Sequence, residues 1–126
     1  MYRKQRKIKE MIVRNINDKE ALETTYRAHG GAIAQMILDR RTLEKLGFLA
    51  IARLEPGKII ESHVDPMEEI YFVASGTGTM QVDDKKQQVN PGDAIWIPEG
   101  SAPAILAEQT NAVKWAFHVS NIFFAS

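Results

Sequence analysis

Between Lys58 and Ser120 the sequence repeats one cadence: a short apolar-rich run, then a turn signal. The runs are KIIESHV, EEIYFVAS, TGTMQVDD, KQQVN, AIWIP, APAILAE and AVKWAFHVS. The breaks fall at Pro66, Ser75-Gly76, Asp83-Asp84, Pro91-Gly92, Glu99-Gly100 and Thr110-Asn111. Many short strands at near-regular spacing imply a sandwich or a barrel. Pro91 fixes a backbone dihedral and Gly92 permits a sharp reversal, as expected between adjacent antiparallel strands. Gly76 and Gly78 break the run after Ser75, which predicts a bulge or a bend.

Upstream the pattern is looser. Residues 11–15 read as a short strand, and NDKEALETTYRAHGG as a polar connection with a helical turn across Lys19 to Thr24 and a break at Gly30-Gly31. AIAQMILD is strand-like, RRTLEKLG reads as a helical turn ended by Gly47, and FLAIARLEP is a β-rich run closed by Pro56.

One segment carries chemistry. In GKIIESHVDPMEEIYFVASG, from Gly57 to Gly76, His63 and Asp65 are separated by one position, so on a strand they point to the same face. A turn at Pro66-Met67 reverses the chain, and Glu69 opens the next run at the end nearest those two groups. Three candidate ligands would meet at one point. An imidazole with two carboxylates suits Fe(II), Mn(II), Ni(II) or Zn(II), with positions left open for substrate or water. The same residues also read as a metal-free pocket, its carboxylates satisfied by hydrogen bonds, water or the imidazole. Tyr71 shares strand parity with Glu69, so its hydroxyl is a candidate acid, base or substrate donor, or else belongs to a core tyrosine. Trp96, Met80 and Phe72 read as core residues, and Glu68, on the opposite strand face, as solvated.

Gly57, His63, Asp65, Glu69 and Gly76 stand at the spacing of the first motif of the cupin superfamily, which this chain resembles, with Asp65 where a second histidine usually stands. Gly92, Pro98 and Gly100, in GDAIWIPEG, match the first half of the second motif. Pro103 occupies the position of its histidine and Ala107 that of its asparagine. The likeness runs from about His29 to about Val119. It implies an all-β fold, a cupin double-stranded β-helix of jelly-roll type at 29–126, with an N-terminal extension at 1–28. It implies a divalent transition metal (Fe, Mn, Ni or Zn) held by His63, Asp65 and Glu69. His118, in KWAFHVS, either replaces the histidine missing at Pro103 or is a hydrogen-bonded structural residue. His29 reads as a loop or surface histidine. Small cupins pair through their sheets, so a homodimer is expected, and the apolar tail with Ile122, Phe123 and Phe124 fits a covered patch.

Composition narrows the rest. A chain of 126 residues with 44% hydrophobic content makes one domain. Without cysteine there is no disulfide, thiolate site or cysteine nucleophile, which fits a cytoplasmic protein. No run approaches the roughly 18 apolar residues of a membrane span, and no apolar segment of signal-peptide length follows the basic start, MYRKQRKIKE. Sixteen basic and 16 acidic residues give no net pull toward nucleic acid or anionic lipid, and the basic cluster from Arg3 to Lys9 reads as a solvated end. Nothing indicates a phosphate loop or a nucleophile elbow. The expected function is that of a small cupin using its metal on a small organic molecule, as an oxygenase or an isomerase or lyase. The alternative is a metal-free binding or sensing module.

Overall fold

The computed structural model describes residues 10–28, 30–64, 66–108 and 112–120, the last three of these by backbone alone. One short helix, α1 (Lys19–Leu22), precedes β1 (Tyr26–Ala28), β2 (Ala32–Leu38), β3 (Leu46–Leu54), β4 (Ile59–Ile60), β5 (Glu69–Ser75), β6 (Gly78–Val82), β7 (Lys85–Val89), β8 (Ala94–Ile97), β9 (Pro103–Ala107) and β10 (Val113–Ser120). Strict alternation makes the strands what they are. In β5, Glu69, Tyr71 and Val73 are buried while Ile70 and Phe72 are exposed, the period of a sheet with one inward face.

The strands form two antiparallel sheets, one ordered β1-β2-β3-β10-β5-β8 and the other β4-β9-β6-β7. A bridge between Gly30 and Ile60 ties the β1 end of the first sheet to the β4 edge of the second and closes the barrel on that side. The core lies between the sheets, where Leu54, Ile97, Val113 and Trp115 lose essentially all contact with water. Burial of an aliphatic side chain of this size stabilises by about 1.5–3 kcal/mol.

The structure departs from the sequence reading upstream and at β4. Residues 11–15 form no strand: Asn15 and Asp18 hydrogen-bond backbone amides through their side chains, and Met11, Ile12 and Val13 stay exposed without a sheet neighbour among the described residues. In RRTLEKLG the Leu43 amide donates to the Asp39 carbonyl oxygen at 2.7 Å, a single turn that does not extend into a helix, and Leu46 and Gly47 already belong to β3; the Asp39 side chain accepts from the amide and guanidinium of Arg41, which also bonds Glu23. The polar connection before Gly30 supplies β1, a three-residue strand paired with β2 through Tyr26↔Ala34 and Ala28↔Ala32. In KIIESHV only Ile59 and Ile60 are strand, so His63 stands on the loop that follows. Met80 is buried as expected, but Phe72 and Trp96 are 48% and 62% exposed on the outer face of the six-stranded sheet. There Trp96 Nε1 donates to Glu68 Oε2 at 2.7 Å.

Two glycines separate conformational from steric need. Gly92 has φ +93 with nothing within 4 Å of an added Cβ, whereas at Gly76, φ +78, a Cβ would overlap the Ala112 carbonyl and approach Val113 Cα at 2.9 Å. Close by, the β5–β10 register shifts between Lys114 and Trp115. Gly92→Ala is expected to cost about 1–2 kcal/mol, the left-handed penalty alone. Gly76→Ala adds a backbone clash and should cost about 3–4 kcal/mol. Urea denaturation of the two variants distinguishes them, and equal losses would contradict the steric account.

Candidate functional site

Small residues on one wall of the barrel make room at one end. Ala32, Ala34, Ala50 and Ala52 face inward from β2 and β3 and are 0–3% exposed. The register sets Trp115 opposite Ala52 and Phe117 opposite Ala50, so large rings lie beside alanines rather than other large groups. The space left is a cavity of about 320 Å³. Its apolar wall is a chain of rings. Phe48 meets Phe117 edge-on at 5.6 Å, Phe117 lies 5.9 Å from Tyr71, and Tyr71 stacks on Trp115 at 5.7 Å and 30°.

The polar side brings together distant parts of the chain. His63 enters from the loop after β4, Glu69 and Tyr71 from β5, and Tyr26 and Arg27 from β1. In the sheet, β1 and β5 are separated by three strands. Only the curl of the barrel lets both line one cavity. Glu69 is 6% exposed and Tyr71 7%, while Tyr26 is 37% exposed, near the mouth. Burial, and then the negative charge of Glu69, raise the Tyr26 hydroxyl above its ordinary value of 10.0, so it remains protonated and able to donate at neutral pH. His63 Nδ1 lies 3.1 Å from the Glu61 carbonyl oxygen. A carbonyl only accepts, so Nδ1 carries the proton and, in the neutral ring, Nε2 carries the lone pair.

Of the residues singled out from sequence, His63, Glu69 and Tyr71 therefore share one cavity. Asp65 lies outside the described residues, as do His29, the basic residues 1–9 and the tail with Ile122, Phe123 and Phe124. The backbone of His118 pairs with Leu49 and Ile70, and its side chain is outside the described atoms. Pro103 opens β9, pairs with Val82, and is fully buried in the four-stranded sheet, where its ring offers no donor to a metal. Among the described residues no three histidine, cysteine, aspartate or glutamate side chains gather into a metal-holding group. Among the described side chains, His63 and Glu69 are the candidate donors that line the cavity. Sequence reading missed Tyr26 and Arg27. The available signal was the Gly30-Gly31 break between YRA and AIAQMIL, a hairpin loop joining β1 to β2.

A larger groove of about 570 Å³ runs beside β7 and β8, but its lining contains no histidine and Asp93 as its one carboxylate. The chemistry-bearing side chains lie in the smaller, aromatic cavity.

Among the described residues no helix is long and apolar enough to cross a membrane. No curated protein sequence matches the chain. Solved structures match it over most of its length. A predicted oxalate decarboxylase from Thermotoga maritima is 19% identical with a TM-score of 0.74, the match covering 88% of this chain and 100% of that one. The polyketide cyclase RemF from Streptomyces resistomycificus is 16% identical with a TM-score of 0.68, covering 90% and 80%. KdgF from Halomonas is 14% identical with a TM-score of 0.63, covering 75% and 85%. At such identities the likeness shows the fold alone. The family described as Cupin domain matches residues 50–119, more than half of the sequence, and together with the two-sheet barrel this establishes that the chain belongs to the cupin family.

Proposed function

We propose that this cupin takes a small organic molecule into its lumen, with Tyr26, His63, Glu69 and Tyr71 at the polar side. One observation carries the reading: a cavity of about 320 Å³ lined by a buried carboxylate, an imidazole, two phenols and further aromatic rings. Cavities of this size that are mostly apolar, with a few convergent polar groups, suit small organic ligands. Glu69 and His63 Nε2 are the proton acceptors, and the Tyr26 and Tyr71 hydroxyls are the donors. In an enzymatic reading Tyr71 moves a proton to or from the ligand, as in an isomerase or lyase.

The presence of His63 and Glu69 on the same cavity favours a second reading. Here these two residues, completed by Asp65 or His118, hold a divalent transition metal for oxygenase or isomerase chemistry. A second copy of the chain is the proposed partner. The outer face of the six-stranded sheet exposes Ile33, Ile70, Phe72 and Trp96, an apolar surface that a sheet-to-sheet homodimer would cover.

A thermal-shift screen of small carbonyl compounds, organic acids and sugars should find ligands that stabilise the protein by about 2.7 kcal/mol at a hundred times their Kd. Glu69→Gln should weaken those ligands about tenfold, the effect of one lost charge-assisted hydrogen bond. A screen without any stabilising compound contradicts the binding reading. About one transition-metal ion per chain by elemental analysis, lost in both His63→Ala and Glu69→Ala, supports the metal reading; failure to take up Fe(II), Mn(II), Ni(II) or Zn(II) sinks it.

The Tyr26 phenol should titrate above the ordinary tyrosine range, read as the ultraviolet difference between wild type and Tyr26→Phe, and Glu69→Gln should lower its value. Because the folded value is raised, the folded state holds the proton more tightly. Its contribution to stability is complete below about pH 10 and is lost as pH climbs through the raised value. A titration at the ordinary value would remove Glu69 from the neighbourhood of the hydroxyl. Equilibrium sedimentation should show a dimer that Phe72→Asp dissociates; a monomeric wild type would refute the sheet-face pairing.

A further inference from the structure

Among the described side chains that line the cavity, Glu69 is the one acid, and it is 6% exposed. No described lysine or arginine faces inward to balance it. Arg27 borders the space, but its register partner is Ile33, which is exposed on the outer face of the sheet, whereas Tyr26 and Ala28 pair with the buried Ala34 and Ala32. Pleat alternation therefore turns the Arg27 guanidinium outward. The same cavity is lined by five rings, those of Tyr26, Phe48, Tyr71, Trp115 and Phe117. Their planes turn along the wall, by 86° from Phe48 to Phe117, 58° from Phe117 to Tyr71 and 30° from Tyr71 to Trp115. The face of an aromatic ring is the negative end of its quadrupole, and it attracts a cation within about 6 Å of the centroid. Neighbouring centroids 5.6–5.9 Å apart allow one cation to lie within that reach of two rings at once.

We propose that the cavity ligand is an organic cation, a protonated or quaternary amine whose charge is met by the Glu69 carboxylate and by the rings that share its cavity. This assignment rests on reading the cavity as a small-molecule site and names the ligand class. The field of Glu69 extends through the lumen, since its charge contributes to the raised value of the Tyr26 hydroxyl near the mouth. Low exposure keeps that field from being screened by water and salt. A quaternary ammonium has no N–H and is held by charge and ring contact alone; a protonated amine also donates to Glu69 or to His63 Nε2. A neutral molecule of the same shape gains only the apolar contact. An anion meets a carboxylate and the negative faces of rings.

The test is calorimetric titration of the full chain at neutral pH with probes matched in shape: choline and 3,3-dimethylbutylamine, both cations; 3,3-dimethylbutan-1-ol, the neutral carbon counterpart of choline; and 3,3-dimethylbutanoate, the anion. At least one cation should bind about tenfold more tightly than the alcohol, the worth of a desolvated ring contact with a charged partner. The anion should bind more weakly than the alcohol. Glu69→Gln should erase about tenfold of the cation affinity and leave the alcohol within about twofold. Phe48→Leu, which keeps apolar bulk and removes a ring, should cost the cation about threefold, with the alcohol again within about twofold. An alcohol that binds as tightly as both cations, or equal weakening of cation and alcohol by Glu69→Gln, overturns the assignment. Tightest binding by the anion overturns it as well and marks the lumen as positive, as a bound metal ion would make it. Should Glu69→Gln lose its cooperative melt, Phe48→Leu, at a half-buried position, gives the same comparison with the same outcomes for and against. If all four probes fail while other small organics stabilise the protein, the ligand class is wrong and the cavity reading stands. If no small organic stabilises it, both fall.

Discussion

The pairing of β10 with β3 sets large rings beside small side chains, and the rest of the molecule depends on it. Trp115 beside Ala52 and Phe117 beside Ala50 are register partners, and on its other side β10 aligns the same two rings with Val73 and Tyr71. A one-residue slip would send both rings to the outer face and fill the lumen with Lys114 and Ala116. Close packing tolerates little mismatch, so the alanines of β2 and β3 are as necessary as the rings they face. Together they fix the barrel radius at one end and leave the aromatic cavity there.

The polar side is built differently. None of its groups is held by neighbouring positions in one strand alone: His63 comes from a loop, Glu69 and Tyr71 from a central strand, and Tyr26 from a three-residue edge strand. The Gly30–Ile60 bridge fastens the edge containing Tyr26 to the second sheet. Glu69 is thereby buried where its charge is felt by a phenol that begins 43 positions earlier in the chain, at Tyr26. Low exposure makes such interactions stronger than they would be at the surface, which is why a barrel end can tune hydrogen-bond donors and acceptors with few residues.

The same architecture explains where apolar side chains are left outside. Alternation in β5 and β8 that buries Tyr71, Val73 and Ile97 necessarily turns Phe72 and Trp96 outward. Their size identified them as core in the sequence, but pleat direction, not hydrophobicity, decides the face. Trp96 finds Glu68 as a partner for its N–H, whereas Trp115, on the inner face, finds none among the described residues.

The sequence by itself determined the strand cadence from β5 onward, the Pro91-Gly92 reversal, the bend at Gly76 and the shared parity of Glu69, Tyr71 and Val73, because each follows from local dihedral preference or a period of two. It also carried the family, through glycines and a proline whose spacing survives changes at Asp65, Pro103 and Ala107. It did not reveal that β4 ends at Ile60, that the stretch before Gly30 holds a strand, or that Tyr26 and Arg27 line the cavity beside His63. Those features arise from contacts between segments far apart in the chain. An edge strand exists only if a neighbour offers its backbone, and a loop side chain meets a buried carboxylate only once the sheet has curled, so tertiary structure alone decided them.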